Sequence, residues 1–396
     1  MFQSIERRPP DPILGLSAAY KTDTNSNKVD LGVGVYKDEA GNCPVMAAVK
    51  QAENTLWQTE DSKSYIAQAG PELFLKYTAE LLLGRDHAAL LDKRVATVLA
   101  PGGSGSLRVA AEFVTNNFPD TRCLVSDPTW NNHIPLLTSA GLKLELYPYY
   151  DYTTHQIKFD QMLDTLKTAS KGDLVLIHGC CHNPCGADLS REMWQSVAEL
   201  AQKQGFTPFI DLAYQGLGDG LAEDVYGLRL LASQLPEVLV ASSYSKNFGL
   251  YRERTGAVTL IAASAAAAEA SGSQIVGTAR EMYSVPPAHG ASLVGLILDD
   301  TVLRAEWDAE LTVMRNRING LRSELVAKLQ AKGVDRDFSF IQHEKGMFSF
   351  LGLSPEQVKT LVTEYSIYLV GSSRINVAGI NQANIDYLVE SIAAVL

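Results

Sequence analysis

The stretch Val238-Leu-Val-Ala-Ser-Ser-Tyr-Ser-Lys246-Asn-Phe-Gly249 joins an uninterrupted apolar run to a polar turn that carries a lysine. A short run of this kind predicts a strand covered on both faces, as in a parallel sheet, and the turn then delivers Lys246 to the mouth of that sheet. A second run, Pro208-Phe-Ile210, ends directly on Asp211. From about residue 95 the pattern recurs, with apolar runs at 95–100, 123–126, 142–147, 174–177, 208–210, 238–242 and 257–262. Helix-like stretches such as 106–117 and 191–204 lie between several of them. This alternation predicts an α/β fold: a mostly parallel seven-stranded sheet covered by helices, with ligands at the carboxyl ends of its strands.

The flanks read differently. Residues 1–44 are turn-rich around Asp30-Leu-Gly-Val-Gly-Val35, whereas the chain after about 310 combines a long helical pattern, 311–328, with short strands at 347–351 and 375–378. The simplest assignment is a large domain at 45–312 and a smaller α+β domain built from both ends, 1–44 and 313–396. A chain of 396 residues exceeds the size at which one core stops growing, which fits two domains. Its 46% hydrophobic residues suffice for an extensive core. The net charge of -11 argues against a general nucleic-acid surface or an anionic-membrane surface, so an anionic ligand would need a few local arginines. No apolar segment reaches signal-peptide length near the N-terminus or membrane-spanning length later, and a soluble, cytoplasmic protein is expected. The five cysteines include the adjacent Cys180-Cys181 with Cys185 nearby, a pattern of free thiols in a reducing compartment rather than a secreted disulfide framework.

Several strings carry chemistry. Lys246, Asp211 and Arg254 would bring an amine, a carboxylate and a guanidinium to one sheet edge. That set is what pyridoxal phosphate needs: an amine for covalent attachment, an anion for the ring nitrogen and a cation for the phosphate. Pro101-Gly-Gly-Ser-Gly105 follows a strand and precedes a helix, so it is either a phosphate cradle or only a tight connection. His178-Gly-Cys-Cys-His-Asn-Pro-Cys-Gly186 mixes thiols with imidazoles, but no second ligand cluster occurs elsewhere at zinc spacing. No metal is expected there, and Asn183 is the better candidate for a working residue. Asp211 either pairs with a ligand or caps a following helix, and Tyr214 is either a phenol donor or a packed aromatic. Ser243-x-x-Lys246 with Arg254-Thr-Gly256 also matches SxxK acyl-transfer motifs as strings, although order and spacing differ. Arg280 and Arg374 are either solvated or are the bidentate forks that a carboxylate substrate requires.

Taken together, the strings Asp30-Leu-Gly-Val-Gly-Val-Tyr-Lys37, Pro101-Gly-Gly-Ser-Gly105, Asp127-Pro-Thr-Trp130, His178-Gly-Cys-Cys-His-Asn-Pro184, Asp211-Leu-Ala-Tyr-Gln-Gly216, Ser243-Tyr-Ser-Lys-Asn-Phe-Gly249, Arg252-Glu-Arg254 and Ser373-Arg-Ile-Asn-Val-Ala-Gly379 are highly specific. In combination they resemble the class I aspartate and aromatic amino-acid aminotransferases, pyridoxal-phosphate enzymes of fold type I, over nearly the whole chain. The resemblance implies that Lys246 attaches the cofactor and moves the proton at the substrate α-carbon. It implies that Asp211, backed by His133, pairs with the ring nitrogen, that Asn183 and Tyr214 bond the ring oxygen, and that Trp130 stacks on the ring. Gly103, Ser104, Ser243 and Arg254 would hold the phosphate, with Tyr65 reaching in from a neighbouring subunit. Arg374, helped by Gly34 and Asn183, would grip the substrate α-carboxylate, and Arg280 of the other subunit the distal one.

Shared sites imply an obligate homodimer, with an N-terminal arm at about 1–14 packing on the partner. Amino acids and 2-oxo acids are the implied substrates: L-aspartate with 2-oxoglutarate by a ping-pong route, with aromatic L-amino acids as further or even main substrates. Cys185 stands where the family usually has Thr. Val35 and Lys37 resemble the aspartate branch, whereas Ser104 resembles the aromatic one and Val285 replaces the usual Asn.

Overall fold

The computed structural model describes residues 1–7 and 12–396, so the expected N-terminal arm falls partly outside the described residues. The described chain divides into two compact units, Pro44–Asn316 and Met1–Cys43 with Arg317–Leu396. Its strands, in chain order, are β1 (Val29–Asp30), β2 (Val95–Pro101), β3 (Arg122–Asp127), β4 (Lys143–Pro148), β5 (Leu174–His178), β6 (Thr207–Leu212), β7 (Val238–Ser243), β8 (Thr255–Ile261), β9 (Phe348–Phe350), β10 (Ile367–Tyr368) and β11 (Arg374–Asn376).

In the larger unit, β2 to β8 form one seven-stranded sheet in the order β2-β8-β7-β6-β5-β3-β4. Only β8 runs against the rest, pairing antiparallel with both β2 and β7. The sequence explains this arrangement. Every residue of β5, β7 and β8 is buried, which requires cover on both faces and hence continuous apolar or small side chains rather than alternation. The helix Gly102–Asn117 covers part of the sheet through Leu107, Val109, Ala110, Ala111, Phe113 and Val114. Helix Arg191–Gln204 is bounded by local chemistry: the Ser190 hydroxyl accepts the Met193 amide at its start, and Gly205, at φ 80°, ends it in the left-handed conformation.

Register decides where function can sit. His178 at the end of β5 lies opposite Asp211 of β6, and Asp211 lies opposite Ala241 of β7. The carboxyl ends of three parallel strands are therefore level, and the turns that leave them share one edge.

The smaller unit carries two short sheets, β1 parallel to β10 and β11 antiparallel to β9. Asn376 at the end of β11 donates its side-chain amide to the carbonyls of Val33 and Val35 at 2.7 and 2.8 Å, which pins the glycine turn after β1. Arg322 is buried and donates to the carbonyls of Ile341, Gly346 and Phe348 and to the Ser349 hydroxyl, so its charge knits the strand β9 to the preceding loop.

The structure also corrects the reading of the sequence in places. Residues 1–44 are not only turns, since Pro12–Thr22 is a helix. The helix expected from Ser106 begins at Gly102, and the final short strand stops at Asn376, where the 3-10 turn Val377–Gly379 takes over.

Candidate active site

Three residues past the end of β7, Lys246 sits in a turn that is anchored from both sides. Phe248 stacks on Trp307 with centroids 4.4 Å apart, and the Trp307 indole N–H donates to the Asn247 carbonyl at 2.7 Å. On the other side, Tyr244 packs edge-on against Phe74 and donates its hydroxyl to Thr78 at 2.7 Å. Aromatic pairs of this kind are worth about 0.5–1.5 kcal/mol each beyond their burial, enough together to hold the lysine in one place.

The Lys246 ammonium position lies 4.9 Å from the centroid of the Tyr214 ring. Burial pulls its pKa down from 10.5 to about 8, against the attraction of Asp211 and with the help of Arg254. A displacement of that size corresponds to about 3 kcal/mol between the two protonation states. The result is an amine that is partly neutral near physiological pH and therefore able to act as a base or a nucleophile.

Asp211 is 7% exposed, and its Oδ2 receives the His133 ring Nε2 at 3.1 Å. Thr129 sits 2.7 Å from the other ring nitrogen, and a hydroxyl donating to Nδ1 with Nε2–H donating to the carboxylate satisfies both contacts. Burial raises the pKa of Asp211, but the His133 hydrogen bond and the electrostatic pull of His133, His178 and Lys246 outweigh it and leave the carboxyl below its ordinary value. Asp211 therefore stays ionised. It belongs to β6 and takes a histidine as partner, so it does not act as a helix cap.

Trp130 packs edge-on against His133 with centroids 5.3 Å apart, and Asn183 and Tyr214 are both buried nearby in sequence order after β5 and β6. On the β2 side of the sheet, Gly102 and Gly103 open the helix Gly102–Asn117, whose first amides have no partner within the helix. A Cβ on Gly102 would meet the Arg254 guanidinium at 2.5 Å, and one on Gly103 would meet the Ser243 Cβ at 3.2 Å. Only glycine lets arginine, serine and helix start come this close. Ser104 follows in the first turn, half-buried. Amides, hydroxyls and a guanidinium converging at a helix N-terminus make an anion site.

Two of the expected residues lie apart from this buried cluster. Tyr65 is 91% exposed, and Arg280 is exposed in the last turn of helix Ala265–Tyr283. In the smaller unit, Arg374 donates to the Gly32 carbonyl at 2.9 Å with its guanidinium 4.4 Å over the Phe348 ring, and a Cβ on Gly34 would meet the same ring at 2.7 Å. Sequence reasoning missed Trp307 and Thr129, and it read His178 only as part of a cysteine cluster. His178 was traceable, because its place at the end of one strand is level with Asp211 on the next.

The aminotransferase class I and II family model matches residues 26–392. The chain is 49% identical to an aspartate aminotransferase of Escherichia coli and 45% identical to an aromatic-amino-acid aminotransferase of Paracoccus denitrificans, each over the full length of both proteins. Among solved structures, it is similar to an aromatic-amino-acid aminotransferase from Burkholderia pseudomallei covalently bound to pyridoxal phosphate, with a TM-score of 0.98 and 42% identity, covering 100% of this chain and 99% of that one.

Proposed function

The chain belongs to the class I and II aminotransferases and carries out pyridoxal-phosphate-dependent transamination, and we propose that its substrates are L-aspartate and aromatic L-amino acids, with 2-oxoglutarate as amino acceptor. The observation that carries this reading is the level set of strand ends holding an ionised Asp211 and an amine of lowered pKa, Lys246.

The residues fit the cofactor. Gly102 and Gly103 let the Arg254 guanidinium and Ser243 close in on the helix start, where a Cβ would collide with them, and Arg254 supplies the countercharge for a phosphate there. When bound, the cofactor supplies an electron sink for the negative charge left at the substrate α-carbon. The chain does the rest. Lys246 would hold the cofactor covalently and would move the proton at the substrate α-carbon. Asp211, oriented by His133, would keep a proton on the ring nitrogen. Asn183 and Tyr214 would donate to the ring oxygen, and Trp130 would pack against the ring. Gly103, Ser104, Ser243 and Arg254 bind the phosphate, while Arg374 with the Gly34 backbone takes the α-carboxylate.

A homodimer with shared sites completes the proposal, Tyr65 and Arg280 each serving the partner's site. Its support is the exposure of Tyr65, together with Trp57 at 79%, since large exposed aromatics favour contact with another chain. The proposed compartment is the cytoplasm. Among the described residues no helix is long and apolar enough to cross a membrane.

Two measurements test the substrate assignment. Adding L-aspartate or L-phenylalanine to the coloured holoenzyme, without an oxo acid, bleaches the visible absorption with both; bleaching with aspartate alone restricts the enzyme to dicarboxylates. In Arg280→Ala, the loss of a charged hydrogen-bond partner lowers kcat/KM for aspartate by about 10- to 100-fold and leaves phenylalanine nearly unchanged. Equal losses for both substrates would overturn the role of Arg280.

A further inference from the structure

The turn that follows β5 holds a second concentration of reactive groups, and none of them takes part in the transamination described above. Two Sγ atoms, from Cys180 and Cys181, and a carboxylate oxygen of Asp224 lie within 4.8 Å of one another, all in buried residues. Adjacent side chains in an extended chain point to opposite sides. Cys181 breaks that alternation with a left-handed φ of 52°, a conformation uncommon outside glycine.

The turn is held rigidly. Asp188 accepts the Cys181 amide at 2.6 Å and the His182 amide at 2.8 Å. Asp224 is fixed by the amides of Gly216, Gly218 and Asp219 at 2.8–2.9 Å and by that of Gly220 at 3.3 Å. Cys185, the third thiol of the string, is not part of this group, since its sulfur sits 3.1 Å from the His182 Nδ1.

Cys180 lines a cavity of about 320 Å³, to which Asp188, Asp219, Glu223 and Asp224 also contribute. The lining holds four carboxyl groups against one guanidinium, Arg191, and that guanidinium lies 4.7 Å over the Tyr226 ring. Such a lining attracts cations.

We propose that Cys180, Cys181 and Asp224 form a binding site for a soft divalent cation, with Zn2+ as the biological example and Cd2+ as the diagnostic one. Two sulfurs and one carboxylate oxygen are donors that such ions accept, and two of the three residues, Cys180 and Asp224, line the cavity. On binding, each thiol releases its proton to solvent and donates an electron pair to the ion. Asp224 donates a third pair to the ion from a carboxylate oxygen. Nothing is oxidised or reduced. Two protons are exchanged for one dication, so the net charge of the cluster is unchanged and no new charge is buried. Counting Cys and His along the chain missed this site because its third ligand is an aspartate supplied by a distant loop.

The test is titration of the holoenzyme with Cd2+, followed by the ultraviolet absorption of cadmium–thiolate bonds, by equilibrium dialysis and by proton release in weak buffer. One ion per chain with release of two protons is expected. Cys180→Ser and Cys181→Ser each lower the affinity by at least about 100-fold, beyond what the loss of an outer-shell partner costs. Cys43→Ser and Cys185→Ser keep it. Absence of saturable thiolate binding to the unmutated protein overturns the proposal whether or not the variants fold. A signal that survives Cys180→Ser, or disappears in Cys185→Ser, overturns it as well.

Discussion

The turn after β7, which carries Lys246, and the turn after β5, which carries Cys180 and Asn183, leave the same edge of one sheet and are held by opposite means. The first is clamped by rings, Phe248 on Trp307 and Tyr244 on Phe74. The second is clamped by a carboxylate, Asp188, accepting two backbone amides. Their electrostatics diverge accordingly. Around Lys246 opposite charges meet, so Asp211 keeps its ionised form despite burial, while the amine is poised at about 8. Around Asp188 burial raises the carboxyl pKa from 3.8 to about 6, although the amides of His182 and Cys181 oppose it, and the neighbouring Asp224 and Asp219 push the same way. A rigid frame can come from either kind of clamp. A usable charge needs a partner of opposite sign, because backbone dipoles alone do not offset desolvation here.

If this contrast underlies function, removing the amine should be the most damaging single change. Lys246→Ala deletes both the attachment point and the base, and general acid–base catalysis alone contributes about 10²–10⁴-fold. Turnover of the variant should fall by at least about 10³-fold, measured in single-turnover experiments, with cofactor retained in part through the phosphate cradle. Near-normal turnover would remove the distinction between the two turns.

The next largest effect belongs to Asp211→Asn. It replaces the negative partner of the ring nitrogen by a neutral amide of the same shape, and we expect kcat to fall by about 100-fold or more, as when a single preorganised electrostatic partner is lost. The same variant reports on the lysine. In the cofactor-free protein, Lys246 is protonated below about pH 8 and neutral above it, so its reaction with an amine reagent should switch on through that value rather than near 10.5. Asp211 raises the lysine pKa, and its neutralisation should move the switch lower still. A midpoint that stays in place would show that the two groups are not coupled.

The parts of this arrangement that could be read from the chain are those built from runs of buried residues. The run Pro208-Phe-Ile210 in β6 and the strand β7 are apolar or small at every position, and the residues that follow them named Asp211 and Lys246 without any tertiary information. The helix over 102–117 was legible only from Ser106, because its first turn is made of glycines that usually signal a connection. Those glycines serve close approach instead: a Cβ on Gly105 would meet Pro101 at 2.7 Å. Helix Pro12–Thr22 was hidden by Pro12 and Gly15, although proline is well tolerated in a first turn. Thr129 was passed over although it lies only four residues from its partner His133, but Trp307 could not be found, since it reaches the site through packing between segments far apart in sequence. Asp224 was hidden for the same reason.

The smallest effect tests whether the aromatic clamp works through its hydrogen bond or its stacking. Trp307→Phe keeps a ring on Phe248 but removes the indole N–H that now donates to the buried Asn247 carbonyl. An unsatisfied buried acceptor costs about 1–3 kcal/mol, so the unfolding free energy obtained from urea titration should fall by an amount of that order. Asn247 adjoins Lys246, and a looser turn should also cost activity. If the clamp positions the amine, kcat falls severalfold while KM changes little, because substrate binding depends on other residues. If Trp307 only fills the core, stability drops and kcat stays the same. The second outcome would place the rigidity of the lysine turn in the Tyr244 contacts instead, leaving it held from one side, as the Cys180 turn is held by Asp188.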